Sequence, residues 1–363
     1  MNILMLSRYD QMGPSSRLRL FQYIPNLEAL GFNICGSEFF DGVYLRNLYS
    51  GQNLGFSVGR AFLRRLRFLW GMRDAHLIWI EKEALPWVPW LIEQGLLPRG
   101  VPLVTDYDDA VFHRYDQHSR SIVRTLLGRK IDGIMAASNL VMAGNIYLAD
   151  RARSAGARRI EIIPTVVDMN AYHVRPQAVE DMTRRIGWIG TPGTWTDYMA
   201  PMMPLLVDIA AAHGAHLTAV GAGTAAQPHP LLDNIAWSEE TEVSRIQDMD
   251  IGIMPLSDTP WSRGKCGYKL IQYMACGLPV VASPVGVNAK IVEHGVNGFL
   301  ASTEAQWREA LNTLLNDRNL RRRMGAAGRR KVELEYSLQV YGPRVAELLL
   351  EIAQQSGRKP RLR

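Results

Sequence analysis

The chain holds only three cysteines, Cys35, Cys266 and Cys276, far apart and odd in number. No CxxC pair or His/Cys cluster of zinc spacing accompanies them. That argues against a disulfide scaffold and a structural zinc site, and favours reduced thiols. No apolar run reaches the ~18 residues that span a bilayer, and Met1 leads straight into an apolar strand rather than a signal peptide. No GxSxG or comparable nucleophile motif is present. A formal GxGxxA, Gly221 to Ala226, is followed at once by Pro228 and Pro230. Those prolines forbid the helix that a dinucleotide-binding turn must open. His213 and His216 lack a third ligand, and no low-complexity repeat is visible.

What is present fits a globular α/β protein. At 363 residues the chain exceeds what one hydrophobic core covers, so two domains are expected. A hydrophobic fraction of 47% with 21% charged residues argues against disorder. The formal net charge of +6 suits phosphates, nucleic acid or an anionic membrane equally well, and alone decides nothing.

The stretch Asp250 to Leu300 organises the rest. Ile251, Ile253 and Met254 read as a buried strand closed by Pro255; a polar loop follows, with Asp258, Trp261, Arg263 and Lys265. Tyr268 to Ala275 is of helix length and stops at Gly277 and Pro279, after which Val280 and Val281 begin another strand. Strand, loop, helix and strand make a βαβ unit of a parallel sheet, so the loop 256–267 should line a ligand site. Gly264 and Gly267 permit close backbone approach, the helix N-terminus presents amides, and Arg263, Lys265 and Lys269 add charge. Such a loop suits a phosphate; a metal is not expected, for want of a carboxylate pair or His/Cys cluster. A solvated basic loop is the blander alternative.

The segment QYMACGLPVVASPVGVNAKIVEHGVNGFLA, from Gln272, resembles the nucleotide-sugar-binding half of retaining glycosyltransferases of family 4, which have the GT-B fold. That family carries two glutamates separated by seven residues, the second directly before an AMACG-like segment. In this chain the two positions hold Gly264 and Gln272. The resemblance assigns Gln272 to the nucleotide ribose, as a neutral hydrogen-bonding group. Gly264 cannot replace the glutamate beside the donor sugar, and Lys265 and Lys269 look like a subgroup's own substitution. The family commonly places an Arg and a Lys on the diphosphate after the strand corresponding to Ile186–Ile189. Here Gly190, Pro192 and Gly193 follow instead, and their backbone amides with the cations of 263–269 are the expected substitutes.

Earlier in the chain, Asn2 to Ser7 reads as a strand. Its exit loop holds Gly13, Ser15 or Ser16 caps a helix over Arg17 to Leu30, and Pro25 predicts a break in that helix. The resemblance sets Gly13 and Ser16 against the donor diphosphate; a plain turn and cap explains them as well. In residues 60–73, Phe62, Leu63, Leu66, Leu69 and Trp70 share one helical face, with Arg60, Arg64 and Arg67 opposite. That pattern suits an anionic membrane surface, and it equally suits packing on the sheet. His76–Ile80, Val101–Thr105, Ile131–Ala137 and Ile160–Ile163 read as strands. Asp106, Asp108 and Asp109 follow the second of these, with Asp108 or Asp109 as a substrate ligand, or a helix cap as the alternative. Arg321, Arg322, Arg323, Arg329, Arg330 and Lys331 read as a solvated face rather than a nucleic-acid surface.

The expected fold is α/β of the GT-B type: two Rossmann-like domains facing across a cleft. They comprise residues 1–172 on the acceptor side and 173–335 on the nucleotide-sugar side. A helix over 336–353 returns to the first domain, and 354–363 is a tail. The expected activity is metal-independent transfer of a sugar, with retention, from a nucleoside diphosphate sugar to a glycan or lipid-linked acceptor in cell-surface polysaccharide or glycolipid synthesis. No cofactor beyond that donor is expected. A sugar-nucleotide epimerase and an inactive GT-B scaffold are the alternatives. Candidate catalytic residues are Arg263, Lys265, Lys269 and Asp108; candidate binding residues are Gly13, Ser16, Gly190, Asp258, Gly264 and Gln272. The expected location is the cytoplasm, at the inner face of the plasma membrane.

Overall fold

The computed structural model describes residues 1–49, 55–71, 74–174 and 183–355. The expected linker around Pro176, Arg73 of the basic helix and the tail from residue 356 lie outside the described residues. The chain divides into two compact units. The first comprises Met1–Thr165, Gly264–Cys266 and Tyr341–Arg363; the second comprises Val166–Arg263 and Gly267–Val340.

Each unit is built on a six-stranded sheet in which every strand pairing is parallel. Parallel neighbours need crossover connections, and helices supply them. The first unit contains β1 (Asn2–Tyr9), β2 (Asn33–Phe40), β3 (Leu77–Glu81), β4 (Leu103–Tyr107), β5 (Leu140–Ala143) and β6 (Ile160–Ile162). Their spatial order is β2-β1-β3-β4-β5-β6, so the winding reverses between β1 and β3. The second contains β7 (Arg185–Ile189), β8 (His216–Val220), β9 (Leu232–Ile235), β10 (Ile251–Met254), β11 (Val280–Ala282) and β12 (Gly298–Leu300). Its order, β12-β11-β10-β7-β8-β9, reverses between β7 and β10. In a doubly wound sheet, ligands bind outside the carboxyl ends of the two strands at such a reversal. Topology therefore singles out loops 10–13 and 82–89 in the first unit, and 190–191, 255–263 and Gly267 in the second.

The central strands β3, β4 and β10 are buried along their whole length, as continuous apolar runs with helices on both faces must be. The helix Tyr268–Ala275 occupies the residues that its pattern indicated, and it buries Leu270, Ile271 and Met274 in the second unit's core. Each such side chain contributes about 1.5–3 kcal/mol on leaving water.

Three local readings need correction. Residues Lys130–Ala137 form a helix, not a strand, because Ile131, Ile134 and Met135 fall on one helical face; the strand is Leu140–Ala143. The helix read over Arg17–Leu30 is three short pieces, Pro14–Arg19, Phe21–Tyr23 and Ile24–Ala29. It breaks at Leu20, and Pro25 sits in the first turn of the last piece, where its missing N–H is harmless. Gly13, rather than a serine, stands at the N-cap of the first piece. On the helix Gly55–Gly71 the buried residues are Ala61, Arg65 and Leu69, while Leu63 and Trp70 are exposed. Arg64 pairs with Asp41 at 2.9 Å instead of standing in solvent.

The last helix, Leu338–Gln354, belongs to the first unit from Tyr341 onward. Arg159 grips Glu351 through both guanidinium nitrogens, at 2.8 and 3.0 Å, and Arg344 reaches Glu161 at 3.3 Å. Gly342 lies against Asn26, whose Oδ1 would be 2.7 Å from an added Cβ.

Candidate active site

The first unit gathers charged side chains at the carboxyl ends of β1, β3 and β4. The β3 strand runs out into Glu81, Lys82 and Glu83, all buried. Lys82 holds a left-handed backbone conformation, φ 64°, which a lysine adopts only when its surroundings dictate it. Its ammonium lies 2.8 Å from Asp108 Oδ1 and donates to Ser15 Oγ at 2.8 Å. Ser15 Oγ is also 2.6 Å from Asp108 Oδ2 and 2.7 Å from Glu81 Oε1, and its single proton serves one carboxylate at a time. Ser16 donates to Glu81 Oε2 and accepts the Tyr9 amide at 2.9 Å. Its hydroxyl is thus committed to closing the β1 turn rather than to a phosphate. Gly13 is required by the same turn, since a Cβ there would fall 2.3 Å from that of Tyr9.

Burial pushes the Asp108 carboxyl up, but the Lys82 charge and hydrogen bonds from Lys82 and Ser15 pull it further down, to about 2. It is therefore a fixed anion. Deeper, Arg19 clamps Asp106 with bonds of 2.6 and 3.1 Å; burial outweighs that clamp and lifts Asp106 to about 6. Glu83 receives Arg8 at 3.0 Å, Lys130 at 2.6 Å and the Tyr115 hydroxyl at 2.8 Å. Burial raises Glu83, and Lys130 and Arg8 return it below the usual carboxylate value.

The segment Gly264–Cys266 is part of this unit. Asn145 Nδ2 donates to the Gly264 carbonyl at 2.9 Å and to the Lys265 carbonyl at 3.1 Å, and the Cys266 thiol donates to the Asp108 carbonyl at 3.0 Å. A Cβ on Gly264 would lie 2.8 Å from the Ala110 amide nitrogen. Glycine at 264 is thus a packing requirement, and a glutamate there has no room.

The remaining predicted residues lie in the second unit. Arg263 and Asp258 form an exposed two-bond pair with each other, at 2.7 and 3.0 Å, and the Arg263 bond lowers the Asp258 carboxyl. Lys269 lies over the Trp188 ring of β7, 5.4 Å from its centroid, which sets its ammonium at the β7/β10 reversal. Within this unit Arg263 and Lys269 thus meet different partners, the Asp258 carboxylate and the Trp188 ring. The Gly190 amide donates to the Val220 carbonyl at 2.9 Å and the Thr191 amide to Thr194 Oγ1 at 3.1 Å, so neither is left for a phosphate. Gly267, φ 68°, starts the helix Tyr268–Ala275 without a side chain to cap its first amides. Gln272 is buried and donates to the Tyr172 hydroxyl at 2.8 Å; Tyr172 in turn donates to Glu242, as does the Trp237 indole at 2.7 Å. Its amide thus holds the core together where a ribose contact was expected. The basic run after 320 is only partly solvated: Arg321 bonds the Leu314 and Leu315 carbonyls, Arg329 those of Tyr172 and Ala275, and Lys331 pairs with Glu293.

Residues 183–317 match the family model described as Glycosyl transferases group 1. That match runs over all six strands of the second unit. A stretch of 86 residues is 35% identical to the spore coat protein SA of Bacillus subtilis (strain 168), covering 23% of this chain and 22% of that protein, so the match spans about a fifth of the curated relative. Among solved structures, a sucrose-phosphate synthase from Thermosynechococcus elongatus superposes with a TM-score of 0.73 at 13% identity, over 98% of this chain and 100% of that one. HepE from Anabaena, in complex with UDP and glucose, gives 0.70 at 17% identity, over 97% and 100%. At these identities the likeness shows the fold, which is GT-B.

Proposed function

We propose that the chain is a retaining glycosyltransferase similar to family 4. It moves a sugar from a nucleoside diphosphate sugar to a hydroxyl of a glycan or lipid-linked acceptor, in cell-surface polysaccharide or glycolipid synthesis and without a metal. The observation that carries this reading is the glycosyltransferase group 1 match lying over the sheet whose reversal point holds Lys269 and the uncapped start of helix Tyr268–Ala275. A lysine charge and a helix N-terminus neutralise the diphosphate as it separates from the sugar. The departing phosphate accepts the acceptor's proton, so no strong protein base is needed. HepE was solved with UDP-glucose, which makes a uridine donor the first to try.

Binding of UDP- and GDP-sugars is read as a rise in Tm, and anomeric configuration by NMR of the product. Lys269→Ala should weaken nucleotide binding by about 10–100-fold, the worth of a charged hydrogen bond. Unchanged affinity would remove Lys269 from the site. A sugar product released only after C–H exchange with solvent, without acceptor, would favour an epimerase. Folded protein that binds and turns over no donor would favour a scaffold.

The membrane reading belongs to the same proposal. Phe56, Leu63 and Trp70 recur every seventh residue along the helix Gly55–Gly71 and are 86%, 51% and 77% exposed, with Arg60 and Arg67 also outward. An anionic bilayer at the cytoplasmic face takes both the aromatic and the basic groups. Among the described residues no helix is long and apolar enough to cross a membrane. Vesicles with anionic lipid should retain the wild type better than a Trp70→Ala/Arg60→Ala/Arg67→Ala variant; equal retention defeats the idea.

A further inference from the structure

The acidic side chains at the strand ends of the first unit differ in one respect. Glu81 is taken by Ser15, Ser16 and the Arg8 amide; Glu83 by Arg8, Lys130 and Tyr115; Asp106 by Arg19; Asp108 by Lys82 and Ser15. Asp109 follows β4 directly, is partly open to solvent, and its carboxylate makes no hydrogen bond or ion pair among the described residues. Only its backbone carbonyl is used, by the Val111 amide at 2.8 Å. Asp109 is therefore the one acid of this set whose acceptor oxygens remain available.

Its surroundings are built. Burial and the adjacent Asp108 charge raise the Asp109 carboxyl, and Lys265, Lys82 and Arg114 pull it back. Lys265 is held there by Asn145, which bonds the carbonyls on both sides of the 264–265 peptide, and by the contact of Gly264 with Ala110, the residue after Asp109. Lys82 in turn is locked on Asp108 through a left-handed backbone. Asp108 is thus kept as a spectator anion beside Asp109. An acceptor with unspent lone pairs at a strand's carboxyl end, within the electrostatic reach of Lys265, Lys82 and Arg114, suits the hydroxyl of a sugar.

We propose that Asp109, rather than Asp108, is the catalytic carboxylate of this chain, accepting a hydrogen bond from a hydroxyl of the transferred sugar or of the acceptor. Lys265 and Lys82 act as positioning residues. The inference rests on the transferase reading and deepens it.

The test compares wild type, Asp109→Ala and Asp109→Asn in a nucleoside diphosphate release assay, with donor and acceptor varied separately. Because the carboxylate bonds nothing in the fold, both variants should keep the wild-type Tm. Asp109→Ala should lose about 30–100-fold in kcat/KM, and Asp109→Asn less, since the amide oxygen still accepts. A raised donor KM, with faster or slower donor hydrolysis, identifies the transferred sugar as the partner; a raised acceptor KM with unchanged donor hydrolysis identifies the acceptor. The carboxylate is a stronger acceptor than the neutral acid, so protonation of Asp109 contributes to the acidic limb of the pH profile, and that limb should flatten in Asp109→Asn. Undiminished kcat/KM in Asp109→Ala, or a drop in Tm that parallels the loss of activity in both variants, overturns the assignment. Wild-type protein that releases no nucleoside diphosphate from any donor overturns the transferase reading and this one together.

Discussion

Among the described residues the first unit buries Arg8, Arg19, Arg65, Glu81, Lys82, Glu83, Glu93, Asp106 and Lys130, whereas the only charged side chain buried in the second is Glu242. The second unit keeps Arg263 in an exposed pair and Lys269 half-buried on an aromatic ring. The difference teaches where each unit fixes its chemistry. A buried network is set at folding, because every partner must be satisfied before the fold is stable. A cation nearer the surface is held less tightly and can exchange its partner for a ligand.

That contrast can be broken at several points. Arg19→Met strips the clamp from buried Asp106 and should cost about 3–5 kcal/mol in urea unfolding, with a loss below about 1 arguing that water reaches the site. The second unit's nearest equivalent, Glu242→Leu, removes the carboxylate that accepts from the Tyr172 hydroxyl and the Trp237 indole, and about 2 kcal/mol is expected there. Lys82→Met is sharper in its pH dependence than in its size. Asp108 is depressed to about 2, so the stability it contributes is present above the ordinary carboxylate pKa and is lost as pH falls toward 2. Without Lys82 that acid limb should move up by about one pH unit in circular dichroism titrations, and an unmoved limb would deny the pairing. Arg263→Ala should shift Tm least of all, by no more than the scatter between replicate melts, because both members of its pair with Asp258 are exposed.

Much of the second unit could be read before any coordinates. The β10–helix–β11 stretch is written in apolar strands and Gly/Pro stops, signals that act over a few residues. The parallel α/β organisation followed from it and from the alternation of elements, and the GT-B expectation from the family resemblance of the segment that begins at Gln272. The helix Lys130–Ala137 was misread because eight residues with five apolar ones fit either period. The family resemblance alone places Gln272 on a ribose; its bond to Tyr172, a hundred residues away, is a pairing that a single sequence does not show. The Glu81-Lys82-Glu83 run carried no warning either, since three charges in a row ordinarily mean solvent. One cue was available: they follow directly on a strand too apolar to lie at a surface. Gly264 was noted as a missing acid, but only the Ala110 contact shows why no side chain fits.

The first unit is assembled from three separated pieces of chain, the last of them carrying Val345, Leu348, Leu349 and Ile352 into its interior. Anyone cutting the gene after Thr165 would discard that helix together with the peptide bearing Lys265. A graft that exchanges the second unit between relatives would have to leave residues 264–266 and everything from Tyr341 with the recipient, so the natural seams for recombination are four, not one.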